Sequence, residues 1–150
     1  MLVEDDMMPA MLDACPSFVP RWQELLAQWD DEDDLPLYVP LGDLARHLMG
    51  LVEREETDEL PAVFRVVERW HTEGDERVRD AATVGLLENL QNLNLHDSGT
   101  NPEQFRALLG PESQRCWDEL AAFWEEFFCW QESQQPQAEK SEGANSGDGC

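Results

Sequence analysis

The chain has 150 residues, enough for one hydrophobic core, and its composition excludes a wholly disordered protein. Hydrophobic residues make up 41% of it and include six tryptophans and six phenylalanines, which is enough apolar surface to repay the entropy lost on folding. The formal net charge of -23 repels nucleic acid and anionic membranes, so we expect neither as a partner. Solubility is the favoured role of this charge, which an acidic proteome could also supply; the alternative is that it attracts a basic protein partner.

The first six residues carry acids where a secretory signal needs basic residues, and no apolar stretch approaches the ~20 residues of a membrane span. We therefore expect a cytoplasmic protein. No CxxC pair or repeated spacing occurs among the four cysteines, Cys15, Cys116, Cys129 and Cys150. This pattern predicts neither a zinc site nor a redox motif, and we expect four reduced thiols.

Proline and apolar spacing predict helices along most of the chain. The first runs from about Asp6 to Ala14 and the second from about Pro16 to Trp29, before an acidic loop over 30–34. Pro40 opens the third helix. Its apolar residues follow the spacing of a helix with one buried face: Leu41, Leu44, Ala45, Leu48, Leu51 and Val52.

Thr57 is expected to cap the fourth helix, with Pro61 in its first turn. The residues expected on its buried stripe are Leu60, Val63, Phe64, Val67 and Trp70. Gly74 and Asp75 end that helix and begin the fifth. The residues expected on the inner face of the fifth helix are Val78, Ala81, Ala82, Gly85, Leu86, Leu90 and Leu93.

A loop over 94–100 precedes a strong helix start at Asn101-Pro102-Glu103, and the last helix runs from Pro111 to about Glu132. The sequence thus predicts an all-α fold, a compact bundle of about six to seven helices, with HEAT-like stacking of antiparallel helices as an alternative. We expect a single helical domain over 1–132 and a disordered, polar and acidic tail over 133–150.

Two histidines come close to catalytic or metal-binding patterns without completing one. Glu68 and His71 have the i, i+3 spacing of di-iron bundles, but such a centre needs the pair twice and further glutamates. Asp43 and His47 have dyad spacing, but no nucleophile stands beside them in the sequence, so an ion pair on the helix surface is favoured. We therefore expect no catalytic residues, no cofactor and no metal.

Polar amides crowd the end of the fifth helix, where Glu88, Asn89 and Asn92 follow Gly85. Asn89 falls on the buried face, and a buried amide must find partners. One interpretation is a hydrogen bond that fixes the fold; the other is a polar contact inside a groove that binds a partner.

The last helix has an unusually wide apolar face. An ordinary core stripe is formed by Trp117, Leu120, Ala121, Trp124, Phe127 and Phe128. Beside it, Cys116, Phe123 and Trp130 recur at intervals of seven. Either other helices surround this helix, or part of it is exposed for a partner. We expect Phe123 to behave as core and Trp130 as surface.

The middle of the chain carries a set of short motifs: Tyr38–Leu48 (YVPLGDLARHL), Thr57–Phe64 (TDELPAVF), Glu73-Gly74-Asp75, Val78-Arg79 and Ala82–Glu88 (ATVGLLE), extended by Gly110–Ser113 and Trp117. With these motifs the chain resembles an uncharacterised bacterial family of helical domains of unknown function. The resemblance implies a small helical fold, similar in size and setting to bacterial immunity proteins that neutralise toxins.

These observations favour a non-enzymatic, acidic, protein-binding domain, with an immunity protein against a basic toxin as its specific form. The residues expected to contact the partner are Glu88, Asn89, Asn92, Phe123 and Trp130. One alternative is an enzyme or metal-binding bundle that uses Glu68, His71 or His47. The other is a structural homo-oligomer that pairs through the last helix.

Overall fold

The structure is a computed structural model that describes residues 1–29, 35–92 and 101–133. The predicted acidic loop over 30–34, the predicted loop over 94–100 together with Leu93, and the predicted tail beyond Ser133 lie outside these ranges. The described residues form helices and connections, which confirms the all-α prediction. The N-terminus is tied down by an isolated parallel bridge between Leu2 and Gly74.

Helical segments follow one another through the described residues. In chain order they are α1 (Glu4–Ala14), a 3₁₀ turn (Pro16–Phe18), α2 (Val19–Gln28), α3 (Tyr38–Glu53), α4 (Leu60–Glu73), α5 (Glu76–Asp80), π1 (Ala81–Leu87), α6 (Glu88–Gln91), α7 (Pro102–Arg106) and α8 (Pro111–Ser133). The segments α5, π1 and α6 are continuous, so the predicted fifth helix forms as one rod with a π-helical centre.

Several helix starts differ from the prediction: α1 begins two residues earlier, at Glu4, and the helix predicted from Pro16 is a 3₁₀ turn followed by α2 from Val19. α3 begins at Tyr38 and takes Pro40 into its first turn, where the missing N–H of proline costs no hydrogen bond. Thr57 does not cap α4: the N-cap is Glu59, and the Thr57 carbonyl accepts a hydrogen bond from the Leu60 N–H at 3.2 Å. At the start of α5, Asp75 does act as the cap, since its side chain accepts from the Val78 N–H at 2.9 Å.

The core is built around α4, which packs against α1 and α5, while α3 packs against π1 and α6. The stripe predicted for α4 is confirmed, because its five residues are all buried. The hydrophobic core also includes side chains from the neighbouring helices. Other fully buried large side chains are Met7, Met11, Phe18, Leu25, Leu41, Leu44, Leu48, Leu86 and Phe105.

Close packing of α3 against π1 depends on Gly85. A Cβ atom placed there would lie 2.7 Å from Leu41 Cδ1 and 3.0 Å from Tyr38 Cδ1, so only hydrogen fits. The Asn89 side chain donates to the Gly85 carbonyl at 2.7 Å. This hydrogen bond joins α6 to the π-helical segment before it.

The chain divides into two compact units between Trp117 and Asp118, inside α8. We call residues 118–133 the distal half of α8. Within the described ranges, no helix combines the length and apolar character needed to cross a bilayer. Cys15 and Cys116 carry free thiols, but Cys129 is disulfide-bonded, so the expectation that all four cysteines are reduced is wrong for Cys129.

Candidate functional site

A buried polar cluster joins α4 to the start of α8, and we call it the Ser113 cluster: Glu68, His71, Thr83 and Ser113. The Glu68 carboxylate accepts from the backbone N–H groups of Glu112 and Ser113 at 3.0 and 2.9 Å, and from the Ser113 hydroxyl at 2.8 Å. It therefore supplies the anionic cap that the first turn of α8 needs.

The direction of these hydrogen bonds decides what Ser113 can do. Its only hydroxyl proton goes to Glu68, so His71 Nδ1, 2.8 Å away, donates to Ser113 Oγ. His71 Nε2 then accepts from the Thr83 hydroxyl at 3.1 Å. A nucleophilic serine needs the opposite direction, in which the imidazole accepts its proton. Ser113 and His71 are also 0% and 4% exposed, so the cluster is structural.

The ionisation of the cluster agrees with this network. Burial lowers the pKa of the His71 imidazole, which keeps the ring neutral. Burial alone would raise the pKa of the Glu68 carboxyl, but the hydrogen bonds from Ser113 and Glu112 outweigh it and hold that pKa below its usual value. A neutral histidine beside an ionised glutamate is consistent with these hydrogen bonds.

The Glu68–His71 pair, considered above for metal binding, is bridged by the Ser113 hydroxyl. Across residues 1–29, 35–92 and 101–133, no group of three or more His, Cys, Asp or Glu side chains is placed to hold a metal ion. In this fold Glu68 caps the first turn of α8, and His71, three positions later, contacts the same serine.

A second cluster shares the serine, histidine and glutamate of the first, and we call it the Ser17 cluster: Cys15, Ser17, His47 and Glu59. Ser17 is exposed in it, whereas Cys15 is buried. Ser17 Oγ lies 2.7 Å from His47 Nε2 and donates to Glu59 Oε1 at 2.8 Å. The carboxylate again contacts the serine and not the imidazole, as in the Ser113 cluster. Burial raises the pKa of the Cys15 thiol to about 12, so Cys15 is not a reactive thiolate at neutral pH.

The prediction that Asp43 forms an ion pair with His47 is wrong. The Asp43 carboxylate pairs instead with Arg21, at 2.7 and 3.0 Å, and with Arg46 at 3.2 Å. An arginine fork offers this carboxylate two charged donors, whereas the neutral imidazole offers one. His47 is therefore left to contact Ser17, a serine that lies thirty positions earlier and that sequence spacing did not reveal.

The three polar residues of the rod that were predicted to bind a partner are Glu88, Asn89 and Asn92, and they differ in exposure. The Asn89 amide donates to the Gly85 carbonyl at 2.7 Å, one turn earlier on the same rod. Glu88 is half-buried, and burial raises the pKa of its carboxyl. Asn92 is exposed. All three residues belong to the first unit, whereas Phe123 and Trp130 belong to the second.

The distal half of α8 presents a continuous aromatic face to solvent. Phe123, Phe128 and Trp130 are 55%, 56% and 59% exposed, so the expectation that Phe123 is core is wrong and the one for Trp130 is confirmed. No described residue after Trp117 is buried. Ring contacts 5.3 to 6.3 Å between centroids join the members of this aromatic face, Phe123, Trp124, Phe127, Phe128 and Trp130.

The predicted core stripe of α8 therefore ends at Trp117, which is 3% exposed. Beyond it the same periodicity continues, but it places rings at the surface. The charged residues of the distal half are all acidic: Asp118, Glu119, Glu125, Glu126 and Glu132. An exposed aromatic face on an acidic helix is the feature of this molecule best suited to bind a partner.

The chain belongs to the family described as Domain of unknown function (DUF7674), which matches residues 8–125. The expectation of a domain of unknown function is thereby confirmed. The matched span contains both the Ser113 cluster and the Ser17 cluster. It ends within the distal half of α8, so Phe127, Phe128 and Trp130 lie beyond it. No curated protein and no solved structure matches the chain.

Proposed function

We propose that this member of the family is a non-enzymatic protein-binding domain that uses the aromatic face of the distal α8 to bind a basic partner. The observation that carries the proposal is the exposure of Phe123, Phe128 and Trp130, each more than half accessible to solvent. Exposed rings of this size are costly in water, and covering each exposed portion contributes about 1 kcal/mol to binding.

The charge of the chain supports a basic partner. With a formal net charge of -23, the protein accelerates encounter with a cationic surface and repels acidic competitors. A basic toxin such as a nuclease has this chemistry, which makes a bacterial immunity protein the specific form of the proposal. The free thiols of Cys15 and Cys116 support a cytoplasmic setting, whereas the disulfide at Cys129 does not.

The test compares the full chain with the double variant Phe123→Ser/Trp130→Ser in affinity capture from the source cells. We expect one basic protein to be retained by the wild type and lost by the variant, and the isolated pair to bind with a one-to-one stoichiometry. Co-expression should then protect cells if that partner is toxic. Equal retention by both proteins, or no specific partner, would contradict the proposal.

Hydrolysis is a second candidate, favoured by one observation: the exposed Ser17 hydroxyl lies 2.7 Å from His47 Nε2. To act as a nucleophile, Ser17 would have to turn the proton that it donates to Glu59 towards His47. The buried Ser113 cluster has the same arrangement and offers an internal control, because a substrate cannot reach it. A hydrolase would release nitrophenol from p-nitrophenyl acetate, would lose that activity in Ser17→Ala, and would keep it in Ser113→Ala. Equal rates in all three proteins would dismiss this candidate.

A further inference from the structure

We infer that the occupant of the aromatic face is an amphipathic partner helix with an apolar seam and basic flanks. This inference rests on the proposed function and specifies its partner. The spacing of apolar residues on the exposed side of the distal α8 is the starting point. Leu120, Phe123, Phe127 and Trp130 alternate at intervals of three and four residues, the pattern of a coiled-coil seam.

This seam matches a helical partner in length and in shape. From Leu120 to Trp130 it runs about 15 Å along α8, which matches roughly one and a half heptads of a partner helix. Because Phe123 and Trp130 are more than half exposed, knobs from the partner could pack between their rings. An extended peptide would leave its backbone groups without hydrogen bonds on this face, since a helix offers no free sheet edge.

Acidic side chains beside the seam set the charge of the partner. Glu119 and Glu126 precede Leu120 and Phe127 by one position, which places both carboxylates along one edge of the seam. Both residues are exposed. In coiled coils such flanking positions choose the partner through pairs of opposite charge, so arginine or lysine is expected opposite them.

A second copy of this chain fits the same surface less well. The distal half of α8 contains no lysine or arginine, so a copy would bring five further acids and no compensating charge. An anionic membrane is disfavoured for the same reason. The partner with complementary charge is therefore a basic helix of another protein.

The experiment measures binding of labelled helical peptides of about two heptads to the full chain by fluorescence anisotropy. Both peptides carry leucine along the seam, and their flanking positions are arginine in one and glutamate in the other. We expect the arginine peptide to bind and the glutamate peptide to bind at least about tenfold more weakly. Phe123→Ser/Trp130→Ser should abolish binding of the arginine peptide.

Two charge variants separate local recognition from overall charge. Glu119→Lys/Glu126→Lys should invert the preference between the peptides. Glu125→Lys/Glu132→Lys makes the same change in net charge on the opposite face of the helix and should leave the preference unchanged. Equal effects of the two pairs would overturn the inferred seam, because they would show that net charge alone attracts the peptide.

The remaining outcomes distinguish a failure of the helical-partner inference from a failure of the proposed function. If neither peptide binds while capture of the cellular partner still requires Phe123 and Trp130, the helical partner is wrong and the proposed function stands. If Phe123→Ser/Trp130→Ser changes neither peptide binding nor capture, both are wrong. Sedimentation of the wild type as a dimer that Trp130→Ser dissociates would assign the face to a second copy. Binding to phosphatidylcholine vesicles in place of the peptide would assign it to lipid.

Discussion

Ser113 and Glu68 share two hydrogen bonds across 45 residues of sequence: the Ser113 N–H and its hydroxyl both donate to Glu68 Oε1, at 2.9 and 2.8 Å. One carboxylate of α4 thereby fixes where α8 begins. The Ser17 cluster repeats the arrangement, because Glu59 accepts from the Ser17 hydroxyl at 2.8 Å and from its N–H at 3.4 Å. In this fold, glutamates of the α4 region anchor the first turns of distant helical segments.

Replacing Glu68 by glutamine should therefore destabilise the fold by roughly 1–3 kcal/mol at neutral pH, because the amide leaves at least one N–H of the first turn without an anionic acceptor. Urea unfolding would measure this. Glu73→Gln is the matched control: Glu73 pairs only at the surface, with Arg69 at 3.3 Å, and its loss should cost under about 0.5 kcal/mol.

The pH dependence of the Glu68 effect follows from its lowered pKa. A carboxyl whose pKa is lower in the folded state stabilises the fold above its ordinary pKa of 4.5 and loses that contribution as pH falls through the folded value. The difference between the wild type and Glu68→Gln should thus shrink in acid. A difference that stays constant with pH would show that Glu68 acts through shape and not charge.

His71 should make the protein less stable in mildly acidic solution. Burial lowers its pKa, so the unfolded chain takes up a proton more readily than the folded chain. The resulting stability is present above the ordinary pKa of 6.5 and is lost as pH falls through the folded value. We expect His71→Gln to flatten the change in urea midpoint between about pH 7.5 and pH 5. His47→Gln should flatten it less, because His47 is only half-buried.

Local patterns in the sequence were sufficient to predict most helices and the buried face of α4. Its five apolar residues recur at the helical period, and that period is set by the backbone alone. The cap at Asp75 was predictable for the same reason, since its acceptor role depends on the next three residues. The N-cap of α4 was not predictable from neighbouring residues. It is Glu59 and not Thr57, and the Glu59 side chain accepts a hydrogen bond from Ser17, which lies 42 positions away.

The two clusters and the exposure of Phe123 could not be predicted from spacing, because both depend on which surfaces meet. Ser17 and His47 are brought together by the packing of two helical segments separated by 30 positions. Apolar periodicity along α8 is the same whether a face is covered or open, so spacing alone could not show that Phe123 is 55% exposed. The π-helical centre at Ala81–Leu87 also has no periodicity in the sequence that distinguishes it from an α-helix.

Gly85→Val should destabilise the fold by more than about 2 kcal/mol, because the new side chain would collide with Leu41 and Tyr38 where α3 meets π1. Thermal or urea unfolding would measure the loss. Gly42→Ala is the control: its Cβ would meet Asn89 Nδ2 at 3.7 Å, an ordinary contact, and alanine favours the helix by roughly 0.5–1 kcal/mol. Normal stability of Gly85→Val would mean that α3 and π1 are not in close contact.

Phe123→Ser and Trp130→Ser should each cost less than about 1 kcal/mol of stability, because both rings are more than half exposed and their removal leaves no cavity. Trp117→Ser, on the same helix but 3% exposed, should cost about 3 kcal/mol or more through lost burial and an emptied site. Urea unfolding of the three variants compares them directly. Severe destabilisation by Phe123→Ser or Trp130→Ser would show that the aromatic face is covered within the protein itself, and would remove the surface on which the proposed partner binds.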